Sequence, residues 1–120
     1  MRLTDILLSD YIKIPLDAKN RDEAIKNLIA LLGEHEAIED TDQAYKAVLD
    51  REKIMTTGVG NGIAIPHCKD SNPGLHIKLL SRISRLMSNE DLREEILDCK
   101  TAEEALNLLQ EEENYYFDLD

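Results

Sequence analysis

Tryptophan is absent, and aromatic residues make up only 4% of the 120-residue chain: four Tyr and one Phe. That scarcity excludes a nucleic-acid binder built on stacking platforms, which needs aromatic faces along a groove. Basic charge is also short, with 14 Lys and Arg against 25 Asp and Glu, for a formal net charge of −11. A surface that negative repels phosphate backbones, so no nucleic acid is expected as a partner. It suits a protein that meets basic patches on other proteins. The two cysteines, Cys68 and Cys99, have unlike neighbours and no CxxC spacing. They read as reduced thiols in a cytosol rather than as a disulfide framework. The N-terminal stretch MRLTDILLSDYIKIP has one basic residue before an apolar run broken by Asp5 and no small-residue cleavage site, unlike a signal peptide. No apolar run approaches the roughly 18 residues of a membrane span. A cytoplasmic protein without membrane insertion is therefore expected. There is no HExxH, and Cys68 directly after His67 is a poor chelating spacing, so no metal site is expected.

What is present is enough for one core. Hydrophobic residues make up 42% of the chain, and the length suits one domain. That domain is expected over residues 1–120, with 113–120 an acidic and aromatic tail that either frays or docks its Tyr115-Tyr116-Phe117 cluster. Tyr11-Ile12-Lys13-Ile14-Pro15 alternates apolar and polar and stops at proline, which reads as a short strand. Asn20-Arg21-Asp22-Glu23 is a capping-box start. Ala24, Ile25, Leu28, Ile29 and Leu32 follow at helical spacing, with Gly33 where a C-terminal cap belongs. A second helix is expected from Asp40 or Thr41 to about Glu52. Asn72-Pro73 opens a third, which carries His76, Leu79, Leu80, Ile83, Leu86 and Met87. Ser88 is expected to cap a fourth helix, and the Thr101-Ala102-Glu103-Glu104 capping box a last one. Helices outnumber strands, and two short strands make a poor sheet, since about three or more are usually needed.

The most unusual stretch is Thr56 to His67, TTGVGNGIAIPH. Gly58, Gly60 and Gly62 mark a loop that turns tightly or approaches a ligand closely. Ile63-Ala64-Ile65 reads as a buried strand that Pro66 ends, with His67 directly after it. One reading is an imidazole presented beside backbone N–H groups, nucleophilic near neutral pH and suited to a phosphoryl group. The other is a satisfied histidine after a tight turn. The glycines are not a Walker loop, because no Gly-Lys-Ser/Thr follows. Arg51 either holds a phosphate's oxygens or serves as a cation at a helix C-terminus. His76 faces either solvent or His67, and His35 is assigned no role.

Arg51-Glu52-Lys53 followed by TTGVGNGIAIPH resembles the active-site signature of enzyme IIA domains of the bacterial phosphotransferase system, fructose/mannitol type, including its nitrogen-regulatory relatives. The first 70 or so residues resemble that family throughout, from LTDILLSDYI onward, and the later helices resemble its C-terminal part. The resemblance implies an α/β fold, a small mixed sheet flanked by helices. It implies that His67 accepts a phosphoryl group from the phosphocarrier protein HPr or its nitrogen-branch counterpart. Arg51 and His76 would line the site, and the loop of Thr57, Gly58, Gly60, Asn61 and Gly62 would support it. The group would pass to a IIB partner, in sugar transport, or serve as a regulatory signal, and no cofactor is implied. The family has several more strands between the active-site strand and the later helix. Here Lys69 to Gly74 joins the two directly, which shortens the fold so that helix dominates. A homodimer completing the exposed strand edge is one expected consequence. A non-catalytic regulatory or interaction module derived from a IIA domain is the alternative function.

Overall fold

A computed structural model describes residues 2–68 and 73–117, of which 73–78 and 117 are described as backbone only. Helix dominates, as expected. Five α-helices are present among the described residues: α1 (Arg21–Glu34), α2 (Thr41–Ile54), α3 (Pro73–Met87), α4 (Glu90–Leu97) and α5 (Ala102–Phe117). Among the described residues the sheet is one antiparallel pair, β1 (Gly58–Gly60) with β2 (Ile63–Ala64). The chain divides into two compact units, one of Leu16–Asp70 and one of Met1–Pro15 with Ser71–Asp120.

In the first unit, α1 and α2 pack together over Ile25 and Ile29, which are buried. Each helix starts where its cap residue predicts. The Asn20 carboxamide oxygen accepts from the Glu23 N–H at 2.9 Å, and Asp40 from the Gln43 N–H at 3.0 Å. The end of α1 differs from the expectation. Gly33 lies inside the helix, and the left-handed residue that stops it is Glu36, with φ of 59°. The Ala37 N–H reaches the Leu32 carbonyl at 2.9 Å and the Glu36 N–H reaches that of Gly33 at 3.1 Å, a Schellman closure. Gly33 is needed for a different reason: a Cβ there would collide with Cγ2 of Thr41 at the start of α2.

In the second unit, the apolar stripe of α3 is covered by α4, α5 and an N-terminal 3₁₀ turn, Leu3–Asp5. Leu86 is fully buried against Leu92 and Leu109, with Leu3 and Leu7 packed on the same cluster. The cap of α4 is Asn89 rather than Ser88. Its side-chain oxygen accepts from the Asp91 and Leu92 N–H groups, while the Ser88 hydroxyl donates to the Arg85 carbonyl. Residues 113–117 continue α5. Glu113, fully buried, accepts from the N–H groups of Leu3 and Thr4 and from the Thr4 hydroxyl. The expected strand over Tyr11 to Pro15 is absent. Ser9–Tyr11 forms a 3₁₀ turn whose bonds, Tyr11 N–H to the Leu8 carbonyl and Ile12 N–H to that of Ser9, are all local. With no partner strand alongside among the described residues, the Tyr11 and Ile12 N–H groups find local carbonyls instead.

Candidate functional site

The glycine-rich segment forms a hairpin rather than a loop leading into a buried strand. Gly58 pairs with Ala64 and Gly60 with Ile63, so Asn61-Gly62 is a two-residue connection. Asn61 and Gly62 have φ of 57° and 77°, the positive values that a primed hairpin turn requires at both central residues. Val59 is the extra residue of a bulge in β1. All of β1 and Ala64 are exposed and Ile63 is half-buried, which corrects the expectation of a buried strand.

One further rung extends the hairpin: the Ile65 N–H donates to the Thr57 carbonyl at 3.1 Å. Pro66 then ends the pairing, since it has no N–H. His67 follows, half-buried, with its Nδ1 2.7 Å from the Ile65 carbonyl oxygen. A carbonyl oxygen only accepts, so Nδ1 carries the proton and the lone pair of the neutral ring lies on Nε2. The nucleophilic nitrogen of this tautomer is therefore Nε2.

The base of the hairpin is tied to α2. Glu52 is buried, and its Oε1 accepts from the Thr57 N–H at 3.2 Å and the Thr56 hydroxyl at 3.3 Å. Its Oε2 accepts from the Thr57 hydroxyl at 2.7 Å, and Arg21 Nη1 lies 3.7 Å from Oε1. The Thr57 hydroxyl and then the Thr57 N–H hold the Glu52 carboxyl below the usual carboxylate range; Thr56 and Arg21 act in the same direction against the opposing effect of burial. A carboxyl whose folded pKa is depressed adds stability above its unfolded pKa, and loses that contribution as pH falls through the folded value. The Thr57 amide proton shift is therefore expected to stay constant while exposed glutamates titrate and to move only at lower pH. An NMR pH titration checks this, and a Thr57 shift that follows the exposed carboxylates would contradict it.

The expected site residues fall into two groups. Arg51, Thr57, Gly58, Gly60, Asn61, Gly62 and His67 belong to one compact unit. Arg51 Nη1 donates to the Met55 carbonyl at 2.9 Å, so its guanidinium closes the C-terminal end of α2. His76 belongs to α3 in the other unit, and its side chain lies outside the described residues. Glu52 was not among the expected residues. The signal was its place five residues before Thr57, at the end of a helix that leads straight into the hairpin.

The fold and site define a small helix-rich α/β protein that presents an imidazole at the exit of a glycine-rich hairpin. The chain belongs to the family described as phosphoenolpyruvate-dependent sugar phosphotransferase system, EIIA 2, whose model matches residues 5–74. It is 26% identical to the PTS system fructose-specific EIIABC component of Bacillus subtilis, over 92% of this chain and 23% of that protein. It is 28% identical to the PTS system fructose-specific EIIA component of Haloferax volcanii, over 76% of this chain and 83% of that one. It is 25% identical to the mannitol-specific phosphotransferase enzyme IIA component of Staphylococcus aureus, over 91% and 98%. The chain thus spans less than a quarter of the Bacillus subtilis protein. That alignment extends over 149 residues, more than the 120 of this chain, so the relative carries residues that this chain lacks. The family match itself stops at residue 74, within the Lys69 to Gly74 connection. No solved structure matches. No helix among the described residues is long and apolar enough to cross a membrane.

Proposed function

We propose that this chain is a phosphohistidine carrier of the phosphoenolpyruvate-dependent phosphotransferase system, with His67 as the acceptor. The observation that carries the reading is the His67 ring, anchored through Nδ1 on the Ile65 carbonyl at the end of the family's signature hairpin. HPr, or its nitrogen-branch counterpart, brings a phosphoryl group on its own histidine. The Nε2 lone pair of His67 attacks phosphorus, the N–P bond to the donor breaks, and the donor ring keeps the electron pair. His67 keeps its Nδ1 proton, and the Ile65 carbonyl stabilises the positive charge that the phosphorylated ring acquires. The group then leaves to a IIB partner or acts as a regulatory signal. Exposed Ile54, Met55 and Val59, at the end of α2 and on the hairpin, offer apolar surface to such a partner.

Arg51, in the same compact unit as His67, is the second residue of the proposed site. Arg51→Ala is expected to slow transfer on the order of 100-fold by removing positive charge from the transferring oxygens. It should lower stability by no more than about 1 kcal/mol, the scale of one cation at a helix end. Single-turnover transfer and urea unfolding measure the two effects; an unchanged rate would remove Arg51 from the site. Incubation with phosphoenolpyruvate, enzyme I and HPr tests the function itself, by an added phosphoryl mass that is labile in acid and stable in base. The residues present in the relatives and missing here favour a second reading, a non-catalytic interaction module, which predicts no such mass.

A further inference from the structure

We propose that Glu52 is a positioning residue for His67, acting through a hydrogen-bond relay that crosses the hairpin; the link to catalysis rests on the phosphohistidine reading above. The carboxylate is 5% exposed, and all its hydrogen-bond donors come from the two residues that start the hairpin, Thr56 and Thr57. It is not needed to close α2, because Arg51 already binds the Met55 carbonyl there. Its effect is to fix Thr57, which is itself buried.

From Thr57 the path continues without a gap. The Thr57 carbonyl accepts from the Ile65 N–H at 3.1 Å, and the Ile65 carbonyl accepts from Nδ1 of His67 at 2.7 Å. Each link enters a residue through its N–H and leaves through its C=O, in two different peptide groups. Position passes along the relay rather than charge. An untethered neutral imidazole populates both tautomers, and only the Nδ1–H form leaves the lone pair on Nε2. Arg21, 3.7 Å from Oε1, ties the same carboxylate to the start of α1. The relay therefore sets both the tautomer and the direction of the attacking nitrogen from a rigid helix pair.

The test reads the ring directly. ¹⁵N NMR of the His67 imidazole in the full chain, at a pH where the ring is neutral, reports which nitrogen bears the proton. The native protein and Thr57→Ser, which keeps the hydroxyl, are expected to show the Nδ1–H form. Glu52→Gln and Thr57→Val are expected to show a mixture of tautomers. Their phosphoryl transfer should fall about 10–100-fold in kcat with KM for phospho-HPr unchanged, the scale of a small misplacement of a reacting group. Thr57→Val removes only one hydroxyl bond, so it decides the matter if Glu52→Gln fails to fold. Folded variants with a lowered melting temperature and an unaltered ring signature would overturn the relay, leaving Glu52 a purely structural residue. A native protein that takes up no phosphoryl group would instead overturn the carrier reading, and the ring signature would still decide the relay.

Discussion

His67→Ala is expected to take up no phosphoryl group at all, while His67→Gln stays folded and equally unlabelled. The alanine variant loses the imidazole that follows Pro66 at the exit of the hairpin, the proposed acceptor. The glutamine variant separates chemistry from structure. His67 is half-buried and makes its 2.7 Å contact with a carbonyl only two residues away. Losing one such bond costs about 0.5–1.5 kcal/mol, too little to unfold a domain of ordinary stability. Intact-mass measurement after incubation with phosphoenolpyruvate, enzyme I and HPr reads the labelling, and circular dichroism reads the fold. His35 is exposed beyond the end of α1 and serves as the internal control. Full labelling of His67→Ala would move the acceptor to another residue and discard the assignment.

Leu86→Ala is expected to destabilise the unit built from α3, α4 and α5 by about 2–5 kcal/mol. Leu86 is fully buried and sits among Leu92, Leu109, Leu3 and Leu7, which come from three separate stretches of chain. Removing its isobutyl group leaves a cavity that none of these neighbours can fill without leaving its own contacts. That loss is a large share of the total stability of a chain this size. Leu97→Ala is the matched control. Leu97 is 84% exposed at the end of α4, so its truncation should change stability by no more than about 0.5 kcal/mol. Urea unfolding followed by circular dichroism measures both. Equal effects from the two substitutions would show that the cluster around Leu86 does not carry the core.

The helices and the site motif were legible because their signals are local. Asn20, Asp40 and Thr101 each accept a hydrogen bond from an N–H three residues on, and apolar residues at helical spacing follow within the next turns. Asn61-Gly62 announces a hairpin turn by itself, yet read as part of an open loop it hid the pairing of Gly58 and Gly60 with Ala64 and Ile63. The Tyr11 to Pro15 alternation misled for the opposite reason. A two-residue period says that a strand could form, but a strand needs a neighbour, and none lies alongside among the described residues.

By itself, then, the chain determined where α1 and α2 begin, where the glycines and Pro66 lead into His67, and which family the hairpin belongs to. These depend on backbone geometry and hydrogen bonds spanning a few residues, which the side chains themselves dictate. Only the tertiary structure decided that Glu36, not Gly33, takes the left-handed position, because Gly33 must let Thr41 approach. Only it showed Glu113 buried under the N-terminal turn and Glu52 buried under Thr57. A glutamate in an acidic sequence reads as a solvated surface group. For Glu113 burial depends on donors that folding brings from the other end of the chain, Leu3 and Thr4, and for Glu52 on a hairpin that turns the nearby Thr56 and Thr57 onto its carboxylate.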